Sequence, residues 1–165
     1  MPTNLEFKAS INSCEDIKNI LNRIGAKYIE TIKQADTYFY IKYGRLKIRE
    51  INDSIYQLIY YNRDETKKFR LSEYQICEIS DVEKLKDILK NSLGVKGVVR
   101  KIREVYMLNN CRIHIDEVAN LGQFLEFEYI KEPGDEKSDD FVNSLQELFL
   151  PHIKKIYRES YIDLI

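Results

Sequence analysis

The 165-residue chain predicts an α+β fold built on an antiparallel sheet. Three observations carry that expectation. Apolar and polar residues alternate with a period of two through about eight segments. Most of those segments follow one another across short turns, which suits hairpins rather than parallel crossovers. Three further segments carry apolar residues at helical spacing behind capping residues.

In chain order, residues 4–11 form a first short strand. Ser13 with Asp16 reads as a capping box, Ile17, Ile20, Leu21 and Ile24 give the first helix its stripe, and Gly25 stops it. A strand over 27–41 is followed by a turn at Tyr43-Gly44 and a strand over 45–51. A hairpin then joins 55–61 with 69–76. Ser80 and Glu83 cap a second helix with Val82, Leu85, Ile88 and Leu89 inward, ended by Gly94. Strands over 95–108, 112–118 and 121–130 follow, the first two joined by Asn109-Asn110. After a loop containing Pro133-Gly134, Ser138 starts a third helix with Phe141, Val142, Leu145, Leu148 and Phe149 inward, and Pro151 breaks it. The tail from Ser160 predicts a short packed helix. Twelve Tyr and seven Phe suit this strand-rich reading.

Bulk composition narrows the function. The formal net charge is −1, so binding nucleic acid through bulk phosphate neutralisation is disfavoured. No stretch approaches the roughly 20 apolar residues needed to span a bilayer, and the N-terminus lacks a signal-peptide pattern. Cys14, Cys77 and Cys111 are odd in number and far apart, as expected of free thiols in a reducing cytoplasm. With only His114 and His152 besides, a zinc site is not expected.

Residues two apart on a strand share a face. Asn4, Glu6 and Lys8 therefore lie opposite Leu5 and Phe7. Arg45, Lys47 and Arg49 lie opposite Leu46 and Ile48; Lys101 and Arg103 lie opposite Ile102. Arg112, His114 and Asp116 lie opposite Ile113 and Ile115, and Glu126 and Glu128 opposite Leu125 and Phe127. Two geometries satisfy this. An open sheet can pack its apolar face on helices and show its charges to water. A closed barrel can turn its apolar face outward beneath the helices and its charges into the lumen. Each charge enclosed there needs a partner, because desolvation costs about several kcal/mol per ion. A triphosphate with a divalent metal would supply partners to both signs.

In this order the motifs resemble the CYTH superfamily, the triphosphate tunnel metalloenzymes, which include class IV adenylate cyclases, thiamine triphosphatases and inorganic triphosphatases. The opening Glu-x-Glu-x-Lys strand appears as Asn4-Leu5-Glu6-Phe7-Lys8. Asp36-Thr37-Tyr38-Phe39 and Arg45-Leu46-Lys47-Ile48-Arg49-Glu50 follow, then Lys101-Ile102-Arg103 and His114-Ile115-Asp116. Leu121-Gly122-Gln123-Phe124-Leu125-Glu126-Phe127-Glu128 and the Ser160-Tyr161 tail complete the set. The resemblance implies one CYTH-like domain over residues 1–165, with a closed eight-stranded antiparallel β-barrel and helices outside. The chain departs from the pattern at Asn4, which stands for a Glu, at Tyr61, which stands for a Lys, and at Ser72 and Tyr74, where acids are common.

The implied chemistry is metal-dependent hydrolysis of an inorganic or organic triphosphate. A class IV adenylate cyclase, making cyclic AMP and pyrophosphate, is the alternative. A non-catalytic triphosphate-binding domain is a third reading, motivated by Asn4 and Tyr61. Lys8, Lys47, Arg49, Arg63, Arg70, Lys101 and Arg103 are expected to bind phosphate, since paired cations and guanidinium forks suit its oxygens. Glu6, Asp116, Glu126 and Glu128 are expected to hold Mg2+ or Mn2+, which prefer oxygen ligands. Glu6, Lys8, Arg103 and Glu126 are assigned to the reaction itself. His114 is expected to stand by, and most tyrosines to serve packing. The partner is a small-molecule triphosphate in the cytoplasm, with neither nucleic acid nor membrane; a homodimer is left open.

Overall fold

The computed structural model describes residues 3–64 and 70–165. In it the chain forms β1 (Thr3–Ile11), α1 (Cys14–Arg23), β2 (Lys27–Phe39), β3 (Arg45–Ile51), β4 (Ile55–Asp64) and β5 (Arg70–Glu78). Then come α2 (Val82–Leu93), β6 (Val95–Leu108), β7 (Cys111–Val118), β8 (Gly122–Lys131) and α3 (Ser138–Phe149). A 3₁₀ turn at Leu150–His152 leads into β9 (Ile153–Tyr157) and α4 (Tyr161–Leu164). Phe69, the expected start of the fifth strand, lies outside the described residues.

The strands pair antiparallel in the order β5-β4-β3-β2-β6-β7-β8-β1, and β1 pairs back onto β5. The sheet is therefore a closed eight-stranded barrel, and the open-sheet alternative falls. β9 is an addition that pairs with the far half of β1. It went unpredicted because Lys154 and Lys155 fill its centre and break the period-two pattern, as lysines do on an edge strand.

The apolar strand faces point outward. Phe7, Ile113, Leu125 and Phe127 lie beneath Ile17, Ile20 and Leu21 of α1 and Val142, Leu145 and Phe149 of α3. Phe127 stacks on Phe7 with ring centroids 5.2 Å apart and meets Phe149 at 5.6 Å. Each such buried side chain contributes roughly 1.5–3 kcal/mol relative to exposure. On the other side α2 sets Val82 against Phe39 and Ile48.

Local signals explain most element ends. The Ser13 hydroxyl accepts from the Asp16 amide and starts α1. α2 is capped by Asp81, which accepts from the Lys84 amide at 3.1 Å, rather than by Ser80. Both residue types cap well, and the helix takes the one nearer its first turn. The turn before β3 requires Gly44: its φ is +69°, and a Cβ there would come within 2.7 Å of the Tyr60 ring. Ile88 and Leu148, expected inward, stand exposed at the margins of their helices. Among the described residues no helix is long and apolar enough to cross a membrane.

Candidate active site

Barrel closure gathers the charged faces around one cavity of about 450 Å³. Among the described residues Lys8, Lys47, Arg49, Arg63, Lys101, Arg103 and Arg112 line it, with Glu6, Glu30, Glu126 and Glu128. These cations come from β1, β3, β4, β6 and β7. Of the phosphate-binding candidates, only Arg70 cannot be placed: it opens β5 opposite Glu6 in register, and its side chain lies outside the described residues.

Two buried aspartates stand behind the cations. Asp36 on β2 accepts from Lys47 Nζ at 2.9 Å and from Arg49 Nε and Nη2, each at 2.9 Å. Burial alone would raise its pKa, but the Arg49 and Lys47 charges override this and hold it well below the usual carboxylate range. Asp116 on β7 takes a two-pronged contact from Arg103 of β6, at 2.7 and 2.8 Å. Burial raises its pKa too, yet Arg103 and Lys101 bring it down to about 2. Such a fork fixes the guanidinium plane. The Tyr161 hydroxyl donates to it as well, at 2.7 Å, so three donors already occupy the Asp116 carboxylate.

Glu126 on β8 joins three groups. It contacts Arg103 Nη2 at 3.2 Å, Lys8 Nζ at 3.5 Å and His114 Nδ1 at 3.2 Å. Despite burial, Lys8, the His114 hydrogen bond and Arg103 hold its carboxyl well below the usual range. Glu128 pairs with Arg112 at 3.2 Å, and Glu6 with Arg63 at 3.5 Å. His114 is thus a buried member of this network.

Burial weighs most heavily on two of the lysines. Lys47 is pushed down to about 7, first by burial and then by the neighbouring Arg49. Lys101 is pushed down to about 8 by burial and by Arg103. Its ammonium lies 4.8 Å from the centroid of the Tyr161 ring and has no carboxylate partner among the described residues. Asp116 and Asp36 act on it only from beyond ion-pair distance, so a buried cation facing the cavity in this way is suited to an anion.

The donor set also fits a divalent cation. His114, Glu126 and Glu128 each offer one ligand atom, all within 4.8 Å of one another. Asn4 Oδ1, which lines the same cavity, is buried and has no hydrogen-bond partner among the described residues. Carboxylate and amide oxygens suit Mg2+ or Mn2+, and an imidazole is better matched to Mn2+.

Several contributors were singled out in the sequence as motif positions without being assigned to the site. Tyr38, Tyr61, Ser160 and Tyr161 close one end of the cavity. Ser160 Oγ accepts from Arg63 Nη1 at 2.7 Å and contacts the Tyr61 hydroxyl at 3.1 Å. Lys8 sits 3.8 Å from the Tyr161 ring centroid. No strand periodicity signals these tail residues. Arg45, although on the face of Lys47 and Arg49, turns to Asp163 at 2.7 Å and anchors α4 instead.

Comparison with known proteins agrees with this geometry. A family model described as CYTH domain matches residues 2–159. A Methanocaldococcus jannaschii protein named as an adenylate cyclase candidate is 30% identical over 172 aligned residues, covering 97% of each chain. The solved PH1012 protein of Pyrococcus horikoshii superposes with a TM-score of 0.84 at 27% identity, over 98% of this chain and 99% of that one. A Hippeastrum protein, described as an adenylyl cyclase candidate with a dominant triphosphatase activity, shares the fold. Its TM-score is 0.67 at 14% identity, over 99% of this chain and 94% of that one.

Proposed function

The chain belongs to the CYTH domain family, and from that premise we propose that it is a divalent-metal-dependent triphosphatase that binds its substrate inside the barrel. Members of this family are enzymes, cyclases or triphosphatases. The observation that carries the reading is Lys101: a buried ammonium facing the cavity, its pKa lowered to about 8, with no carboxylate within ion-pair distance among the described residues and only Asp116 and Asp36 acting on it from further off. A triphosphate chain would bring negative charge into direct contact with it.

In this reading residues 1–165 act as one CYTH-like domain. Lys8, Lys47, Arg49, Arg63, Lys101 and Arg103 neutralise phosphate oxygens, with Arg70 assigned to the same task. Asp36 and Asp116 hold Arg49 and Arg103 in fixed planes, so little reorganisation accompanies the reaction. Phosphoryl transfer depends mainly on such positioning and neutralisation. Glu6, Glu126 and Glu128, with His114 and Asn4, would hold Mg2+ or Mn2+. A cation bound there offsets phosphate charge and acidifies the nucleophile. Asp116, already holding Arg103, is assigned to the same set. Glu126 also ties Lys8 and Arg103 to the metal side of the tunnel, which makes it the residue that couples phosphate position to the reacting end.

Cyclisation is the second reading, favoured by the name of the M. jannaschii relative. There the nucleophile is a ribose 3′-hydroxyl and pyrophosphate leaves. Incubation with Mg2+ or Mn2+ and either ATP or tripolyphosphate separates the readings. Orthophosphate release supports hydrolysis, whereas cyclic AMP with pyrophosphate supports cyclisation. Binding without turnover would reduce the protein to a triphosphate-binding domain, and no binding would refute the proposal. Glu126→Gln is expected to lower turnover by about 100-fold or more, in line with removal of a charge that acts in the transition state. Its effect on tripolyphosphate affinity should be much smaller.

A further inference from the structure

Residues two apart on β2 share a face, so Gln34 looks inward together with Asp36. Asp36 holds Lys47 and Arg49. Gln34 is only 2% exposed and lines the cavity, and nothing said so far gives it a task. A buried amide has polar atoms that must find partners. The sheet register names the neighbours. Gln34 stands opposite Lys101 of β6, and Asp36 stands opposite Arg49 of β3. Directly opposed residues have Cβ atoms about 5 Å apart, which puts the amide beside Lys101.

Those neighbours also decide which way the amide points. With Oε1 toward β3, it accepts from Arg49 Nη2 at 2.7 Å and from Arg49 Nε. The reverse orientation would set the amide nitrogen against the guanidinium, donor against donor. It would gain only contacts of 3.4 and 3.5 Å to Asp36. The Arg49 fork is therefore gripped by two acceptors from one strand, the Asp36 carboxylate and the Gln34 carbonyl. Only the first brings charge. Among the described residues, Asp36 is the one carboxylate within ion-pair distance of Lys47, Arg49 or Lys101. Three cations thus share a single bonded counter-charge. Their repulsion adds to burial: Arg49 is among the groups that lower the pKa of both lysines. A glutamate has nearly the shape of a glutamine. At this position it would bond Arg49 as the amide does, lie beside Lys101, and neutralise the wall.

We propose that Gln34 is a positioning residue that orients Arg49 and, as an amide where a carboxylate of the same shape would fit, preserves the positive excess that draws a triphosphate to the β2–β3–β6 wall. This rests on the proposed tunnel function and adds to it the residue that sets the charge of the clamp.

The test compares the parent protein with Gln34→Glu and the uncharged Gln34→Met, using tripolyphosphate and Mg2+ in calorimetry at pH 8 and urea unfolding at the same pH. Gln34→Glu should bind at least about tenfold more weakly, because it sets a carboxylate beside the phosphates. Its unfolding midpoint should be no lower than the parent's, since the new carboxylate has cations to pair with. It should also take up fewer protons on binding, measured in buffers of different ionisation enthalpy, because it keeps the lysines charged before the ligand arrives. Gln34→Met should lose affinity too, but less. Affinity or proton uptake in Gln34→Glu equal to the parent's would overturn the inference, as would equal losses in the two variants. A clearly lower midpoint for Gln34→Glu would also overturn it, because a carboxylate that finds no partners there cannot be neutralising the wall. Gln34→Met binding as tightly as the parent would overturn the orienting role. All of these results leave the tunnel function standing, whereas a parent protein that fails to bind tripolyphosphate would defeat that function itself.

Discussion

At the scale of single residues, the tunnel is a set of charges whose partners matter as much as their own sign. Arg103 and Asp116 illustrate this. Removing one member of a buried pair costs about 3–5 kcal/mol, because the other is left uncompensated. Arg103→Ala should therefore destabilise the fold by about that amount in urea unfolding. Adding Asp116→Asn should recover most of it, whereas triphosphate affinity should stay low in both variants. A single variant as stable as the parent would contradict the pairing. Lys47 gives a pH signature. In the free protein its pKa is near 7 rather than 10.5, because burial and Arg49 outweigh the attraction of Asp36, with Lys101 adding further repulsion. The unfolded chain then binds more protons than the folded one between those values, so this group makes stability rise as pH climbs from about 7 toward 10.5. A bound triphosphate favours the ammonium and raises its pKa. Binding should take up protons near pH 8, and affinity should fall as pH rises above about 7. Calorimetry in buffers of different ionisation enthalpy measures the uptake, and Lys47→Met should abolish its part. The positions of Lys8, Lys47, Arg49, Lys101, Arg103, Glu126 and Glu128 were legible because period-two alternation dictates a shared face. The service of Asp36 and the bonding of His114 were not, since they depend on which strands become neighbours.

At the scale of elements, strands and the first and third helices could be read from period and caps almost residue by residue. β9 defied that reading, because it lacks alternation. The short packed helix expected from Ser160 is α4, although its four residues are too few to show a helical stripe. α4 nevertheless decides the shape of the cavity. Ser160 and Asp163 form its capping box, and Asp163 is held by Arg45 at 2.7 Å and Lys96 at 3.5 Å. Gly97 on β6 makes room for it: a Cβ there would lie 2.7 Å from Ile162 Cδ1. Gly97→Val should strain this contact at a cost of about 1–3 kcal/mol, the range for overpacking. Faster amide exchange in the tail should accompany it. Tyr161→Phe keeps the ring under Lys8 and Lys101 but loses the bond to Asp116. A hydrogen bond to a charged group is worth about 1.5–3 kcal/mol, and urea unfolding should register a loss in that range. A variant of unchanged stability would remove Tyr161 from the account of how that end is closed.

At the scale of the molecule, closure through the β1–β5 pairing converts eight ordinary amphipathic strands into an enclosed polyelectrolyte. The amphipathic pattern left open whether the charged face met water or itself, and only the order of motifs tipped that choice. Closure is also what makes the charges consequential. On an open sheet, water would screen them and their pairs would contribute little. Inside the barrel they shift one another's pKa values and await a guest that carries its own counter-ion.

The most direct test is a crystal structure of the protein with Mn2+ and a non-hydrolysable triphosphate, with anomalous scattering used to locate the metal. The account predicts phosphate oxygens within hydrogen-bond distance of Lys47, Arg49, Lys101 and Arg103, and an anomalous peak beside Glu126 and Glu128. A triphosphate bound on the outer surface, with the lumen filled only by water, would contradict it.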